Sequence, residues 1–187
     1  NIIVNKIKIL NFIKRSKPYI ICLNTVSLFS EKLVDLRVTC HPMRILSDIN
    51  YHIKNSNKIA LPYSMITRNI KSNIKLDKKR IFDYGLKLDY DKKISIFKNF
   101  CILPYPLAIG YALSIVYLNA KNNQIHFAGL DGYGNSKTQL DETEEMLNKF
   151  KTKFKKRFLS LTPTKYNFWL MKILAVIPAR YKSSRFP

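Results

Sequence analysis

Four side chains able to grip phosphate stand within six positions near the end of the sequence: Arg180, Lys182, Ser183 and Arg185. They follow an apolar run at 173–177 (ILAVI) that reads as a buried strand, and no acidic residue lies between Lys172 and Pro187. Guanidinium forks take phosphate oxygens two at a time, while an ammonium, a hydroxyl and nearby backbone N–H groups add further donors. A loop of this content leaving a strand suits a triphosphate. The same residues would also make a solvated basic tail, and spacing alone leaves both readings standing.

A second set of candidates lies upstream. Asp131 sits in the turn 129–134 (GLDGYG), and Thr162 and Thr164 flank Pro163; each group follows a predicted strand. In parallel sheets ligands sit beyond the carboxyl ends of the strands, so these three residues mark a candidate crevice. Asp131 reads equally as a turn residue bonded to its own loop, because no Gly-rich phosphate loop accompanies it. Cys22, Cys40 and Cys101 are odd in number with no CxxC pair, and His41, His52 and His126 are isolated, with no HExxH arrangement. Buried reduced thiols are expected, with neither a disulfide framework nor a metal site.

The stretch 177–187, IPARYKSSRFP, resembles the amino-terminal motif of the CMP-sugar synthetases, meaning 3-deoxy-manno-octulosonate cytidylyltransferase and its acylneuraminate relatives. The family pattern Arg-x-x-Ser-x-Arg-x-Pro-Gly-Lys is matched by Arg180, Ser183, Arg185 and Pro187; Pro178, Ala179 and Tyr181 also fit, and Met171 occupies the start position. The sequence stops before the Gly-Lys, and the resemblance covers 17 of 187 residues. It implies a loop that holds the CTP phosphates while the anomeric hydroxyl of a sugar acid attacks the α-phosphate, releasing pyrophosphate. Arg180 and Arg185 would neutralise charge and Ser183 would donate a hydrogen bond, with Lys182 beside them as a further candidate for the CTP phosphates. The resemblance also implies Mg2+, but the family's acidic metal ligands and sugar-binding residues have no counterpart here. Catalytic residues are unassigned, and the fragment alone is not expected to turn over.

A second resemblance covers 1–170. The stretches 103–133 (LPYPLAIGYALSIVYLNAKNNQIHFAGLDGY) and 160–166 (SLTPTKY), with His41-Pro42 and 83–86 (DYGL), are similar to the α/β domain that follows an HMG-CoA-lyase-like aldolase barrel in proteins of bacterial surface-polysaccharide clusters. On that resemblance the barrel would lie upstream and this part would be a non-catalytic ligand-binding domain. Both ends read as cut. The chain is therefore expected to be a fragment of a cytoplasmic protein, with a domain at 1–170 joined to the start of a nucleotide-binding domain at 171–187.

Composition bounds these readings. The chain has 33 basic and 12 acidic residues, a net charge of +21, with 47% hydrophobic residues and only five Gly, which marks a globular domain and not a disordered one. Such a charge would ordinarily point to a polyanion. But only eight of the basic residues are Arg, and the Lys are scattered among 16 Asn and many Ile, as an AT-rich coding bias produces. Nucleic-acid recognition leans on Arg forks and interleaved aromatics, so neither nucleic acid nor a membrane is expected as a partner, and a basic nucleic-acid-binding protein ranks as the lesser alternative.

The elements that must position these residues alternate. A helix is expected over 5–16, a strand buried on both faces at 19–23, a strand at 34–40, a helix over 43–55 and a strand at 58–61. Residues 63–100 read as irregular apart from a strand-like 81–86. The uncharged 99–120 segment is long enough to suggest a membrane span, but Pro104 and Pro106 break it, leaving a buried helix at 106–118. A strand at 124–128, a helix from Thr138 and a strand at 158–161 follow. Thr138 with Asp141 reads as the cap of that helix, with Asp141, Glu142, Glu144 and Glu145 at its positive end and the basic run 151–157 at its negative end. Strands separated by helices of this length imply an α/β fold: a three-layer, Rossmann-like, mostly parallel sheet.

Overall fold

The computed structural model describes residues 3–25, 29–73, 75–119, 124–132, 136–155 and 157–170. Helix α1 (Lys6–Ser16) leads to strand β1 (Ile21–Leu23), strand β2 (Leu36–Val38), the short helices α2 (Pro42–Ser47) and α3 (Ile49–Lys54), strand β3 (Lys58–Leu61), helix α4 (Arg68–Asn73) and strand β4 (Ile81–Asp83). The four strands make one parallel sheet in chain order, β1-β2-β3-β4. Right-handed crossovers between strands laid down in one direction keep their connections on one face. On one face of this sheet Ile45, Ile59, Leu61, Ile66 and Leu76 close a small core of their own.

At Tyr84 the chain leaves this sheet for a second one, formed by β5 (Gly85–Leu88), β6 (Ser95–Ile96) and β7 (Phe100–Leu103) in the order β5-β7-β6. Tyr84 is buried at the crossing. Its hydroxyl donates to the carbonyls of Phe97 and Phe100, both at 3.0 Å, and its own carbonyl accepts from the Tyr111 hydroxyl. Gly85 must be glycine here, because a Cβ would lie 2.6 Å from Met65 Cε and 2.8 Å from Phe100 Cβ. Helix α5 (Ala108–Asn119) follows and packs on β1, β2 and β7. Every residue from Ile109 to Ile115 is buried, which is why this helix is apolar all round. Strand β8 (Gln124–Phe127), helix α6 (Lys137–Phe154), β9 (Arg157–Ser160) and β10 (Trp169–Leu170) complete the described chain, with a third, all-parallel sheet β10-β9-β8. The main core joins Leu36, Val38 and Ala60 of the first sheet to Cys101 and Leu103, the inner residues of α5, and Met146, Leu147 and Phe150 of α6.

The α/β class is therefore observed, and all described strand pairings are parallel except β6 with β7. Several details depart from expectation. The strand expected to be buried on both faces at 19–23 is an edge strand, Tyr19 being 66% exposed; the fully buried strand is β2. The helix expected over 43–55 breaks at Asp48, which ends α2 and starts α3. Helix α6 is capped by Ser136, whose Oγ accepts from Gln139 N–H at 3.3 Å, so the N-cap is Ser136 and not Thr138 with Asp141. Its first turn holds no acidic residue, so the carboxylates of 141–145 lie too deep in the helix to answer its dipole. Among the described residues, 63–100 hold three strands, the first residue of β7, and α4 instead of one strand and irregular chain. No described helix is long and apolar enough to cross a membrane.

Candidate functional site

Strands β8 and β9 run side by side with Phe127 beside Ser160, so the loops leaving their carboxyl ends start together. Leu161 N–H donates to the Phe127 carbonyl at 2.8 Å, and Gly129 N–H donates to Thr162 Oγ1 at 3.0 Å. Thr164 Oγ1 donates to the Leu130 carbonyl at 2.5 Å and accepts from Tyr166 N–H at 3.2 Å. Gly132 holds φ +87°, a conformation L side chains avoid, and a Cβ there would meet Leu140 Cδ1 at 3.1 Å. Asp131, Thr162 and Thr164 are thus brought to adjoining loops at one sheet edge. Thr162 is fully buried and Asp131 half-buried. The two hydroxyls lace one loop to the other. Arg180, Lys182, Ser183 and Arg185, and the strand expected at 173–177, lie outside the described residues.

The carboxyl edge of the first sheet gathers a different set. After β1, Thr25 Oγ1 donates to Asp48 Oδ2 at 2.9 Å; at the end of β4, Asp83 accepts from the Ser64 N–H at 3.0 and 3.1 Å and from its hydroxyl at 3.1 Å. Between them, Thr39 Oγ1 is buried with no hydrogen-bond partner among the described residues. Cys40 donates weakly to the Pro106 carbonyl at 3.5 Å, and Cys101 to the Gly85 carbonyl at 3.7 Å. Burial pushes the Cys40 thiol up to about 12 and the Cys101 thiol to about 11, so both stay protonated and unreactive at neutral pH.

Two ionic clusters accompany these loops, the first reaching the loop after β1 and the second on α6. Arg37, in the middle of β2 and 2% exposed, donates from Nε to Glu31 Oε2 at 3.0 Å, from Nη2 to Glu31 Oε1 and from Nη1 to the Asn24 carbonyl at 2.6 Å. Tyr51 donates to Glu31 Oε1 at 2.6 Å, and its ring lies 5.0 Å from the Arg37 guanidinium carbon. Burial pushes the Glu31 carboxyl up, but the hydrogen bonds from Arg37 and Tyr51 and the Arg37 charge outweigh it, and the group titrates below its ordinary value.

The second cluster lines a cleft of about 610 Å³ between the loop before β6 and one face of α6. Lys149 Nζ donates to Glu145 Oε1 at 2.7 Å and to the Lys92 carbonyl at 2.6 Å; Lys153 donates to the Ile94 carbonyl. Lys92 Nζ stands 3.4 Å from Glu145 Oε2, which also accepts from the Tyr105 hydroxyl at 2.6 Å. Hydrogen bonds from Lys149 and Tyr105 hold the Glu145 carboxyl down at about 2. Reading the sequence missed this cleft. The available signal was Glu145, Lys149 and Lys153 at four-residue spacing, a single stripe along a helix.

No known protein family, curated protein or solved structure matches the chain. Among the described residues, no group of three or more His, Cys, Asp or Glu side chains is placed to hold a metal ion.

Proposed function

We propose that the chain belongs to a protein of surface-sugar biosynthesis in which the loop at 180–187 grips the phosphates of CTP for cytidylyl transfer to a 2-keto-3-deoxy sugar acid. The observation that carries this reading is the motif: Arg180, Ser183, Arg185 and Pro187 at the CMP-sugar synthetase spacing, directly after the apolar run 173–177. In the transfer the anomeric oxygen bonds to the α-phosphorus, the α–β anhydride bond breaks, and pyrophosphate leaves. Arg180, Lys182 and Arg185 take up the negative charge on the triphosphate, and Ser183 donates to a phosphate oxygen. Positioning and electrostatics dominate such chemistry. Mg2+ would assist in this family, but no cluster among the described residues fits it.

Residues 171–187 are the start of the nucleotide-binding part in this reading, and 1–170 a Rossmann-like, three-layer domain beside it that does not itself catalyse the transfer. Its support is the first sheet, where one face closes over Ile45, Ile59 and Leu61 while Leu36, Val38 and Ala60 join the core built on α5. The edge strand β10, parallel to β9, delivers the chain to Met171.

The test is pyrophosphate release from CTP with 3-deoxy-manno-octulosonate or a sialic acid, in a protein that continues from Pro187 through Gly-Lys into a complete cytidylyltransferase domain. Arg180→Ala should remove about 1.5 to 3 kcal/mol of binding or transition-state stabilisation, the value of a charge-assisted contact to a phosphate oxygen. Unchanged turnover in both Arg180→Ala and Arg185→Ala would make the motif match fortuitous.

A further inference from the structure

We propose that the cleft between residues 92–94 and α6 is a binding site for a small phosphorylated anion, gripped by Lys92, Lys149 and Lys153 and independent of the loop at 180–185. It is a shallow groove, largely open to solvent, in which a small anion would keep part of its hydration. Four lysines line it, Lys92, Lys93, Lys149 and Lys153, against Glu145, which is fully ionised at neutral pH, and with Asp91 beside it paired to Lys93 at 3.4 Å.

Two of these lysines are held, as Lys71 is to the Ser64 carbonyl and Lys151 to the Asn167 carbonyl elsewhere, but here the two holds are neighbours on one helix face. Lys149 and Lys153 are one helical turn apart on α6 and are tied to the carbonyls of Lys92 and Ile94. The Lys92 backbone is turned left-handed, φ +58°, by a tight turn in which its N–H donates to the Asp89 carbonyl at 3.1 Å and Asp91 N–H donates to Asp89 Oδ1 at 2.9 Å. An ordinary surface lysine gives up side-chain entropy when it binds, whereas a tethered one has already lost much of it. Each ammonium carries three N–H donors, and none of the four spends all of them on the partners described above.

Glu145 shows how an oxyanion sits among these groups. One carboxylate oxygen meets Lys149, the other meets Lys92 and the Tyr105 hydroxyl. That two-point grip is the one a phosphate would receive beside it, and a phosphate monoester or pyrophosphate brings the multiple charge that the excess of ammonium groups calls for. Length argues against a polymer. From Glu145 to Lys153 the stripe covers eight residues of helix, about 12 Å at the helical rise, enough for a diphosphate and too short to track a nucleic-acid backbone.

Calorimetric titration of the 187-residue chain with inorganic pyrophosphate, near physiological ionic strength, tests the site. Saturable one-to-one binding is expected, weakened about tenfold or more by Lys149→Met with Lys153→Met, which removes two charged donors. Removing two exposed lysines elsewhere, Lys32→Met with Lys54→Met, should leave affinity within about twofold; equal loss in both variants would mean that only the overall field attracts the anion and would overturn the proposal. Arg180→Ala with Arg185→Ala should keep this binding. If that variant loses it while the lysine variant keeps it, the cleft is not the site, and the CTP-loop reading stands unharmed. Hydrogen exchange on the unaltered chain gives a check free of folding defects: pyrophosphate should protect amides of 89–94 and 145–153, and protection confined to other segments would overturn the assignment. Tighter binding of duplex DNA than of pyrophosphate, with protection of the same amides, would also overturn it in favour of a polymer.

Discussion

Glu31 and Glu145 each accept a tyrosine hydroxyl at 2.6 Å and basic side chains, yet the two clusters differ in what is left over. Around Glu31 the cation is a guanidinium inside β2, 2% exposed, with donors placed on Glu31 and on the Asn24 carbonyl in one fixed geometry. Around Glu145 the cations are ammoniums on flexible stems, Lys149 at 34% and Lys92 at 55% exposure, with N–H groups still turned to water. A planar fork in a dry sheet is a structural tie; point charges at the rim of a cleft remain available to a ligand. The same acid, tyrosine and base combination is used once for folding and once for a surface able to bind.

The sharpest way to break this comparison is to cut the buried tie. Arg37→Ala leaves the Glu31 carboxylate facing Tyr51 alone and strips the Asn24 carbonyl of its donor. Loss of one partner of a buried pair should cost about 3 kcal/mol in urea unfolding, allowing for the partial exposure of Glu31. A cost under about 1 kcal/mol would put Arg37 in the class of surface ion pairs and erase the contrast.

The next effect tests whether the cleft depends on the packing beneath it. Helix α6 carries Glu145, Lys149 and Lys153 on one side and Met146, Leu147 and Phe150 in the core on the other. Met146 lies over Gly110 of α5, where a Cβ would come within 2.8 Å of its Sδ and 3.0 Å of its Cε. Because the clash is with a flexible thioether, Gly110→Ala should cost about 1 to 2 kcal/mol as α6 shifts, and should loosen pyrophosphate binding as well. Lowered stability with unchanged anion affinity would show that the cleft is set by the 89–94 turn alone.

How far the sequence revealed these two regions follows from their physics. Helix α5 was legible because an uncharged stretch bounded by Pro104 and Pro106 has few other homes, and β3 because KIAL lies between polar loops. Arg37 was not. A charged residue flanked by Leu36 and Val38 reads as pointing outward, and only Glu31, six positions back in a short turn, makes it a buried one. Residues 63–100 stayed unread because their strands run to two to four residues and exist through long-range pairing, such as β5 with β7. The cleft likewise needs 92–94 brought against α6 across some fifty positions, which no local pattern announces.

A smaller effect sharpens the buried side through pH. His52 is buried beside the Arg37 network; burial lowers its pKa, Arg37 and Arg80 lower it further, and Asp48 and Glu31 oppose them only in part. Its folded-state value therefore lies below the ordinary 6.5, so the unfolded chain takes up the proton first and stability falls as pH drops through about 6.5. His126 is lowered by burial too and adds in the same direction. His52→Gln should flatten the stability curve between about pH 5 and 7 without removing all of its slope. A curve of unchanged steepness would assign the pH dependence to His126 and detach His52 from the network.

The smallest change in stability belongs to the exposed side. Glu145→Gln keeps the shape of the side chain and its hydrogen bond with Tyr105 while removing the charge that Lys92 and Lys149 share. As a partly exposed pair it should cost less than about 1 kcal/mol, in contrast to Arg37→Ala. The carboxyl titrates at about 2, below its ordinary 4.5, so whatever stability it gives is present above 4.5 and lost as pH falls toward 2; the Gln protein should lack that acid limb. Its effect on binding should be opposite in sign. With the internal carboxylate gone, the ammoniums face each other uncompensated and pyrophosphate should bind several-fold tighter, as calorimetry would show. If Glu145→Gln were instead as destabilising as Arg37→Ala and weakened the anion, Glu145 would be a structural tie like Glu31, and the two clusters would be one device built twice.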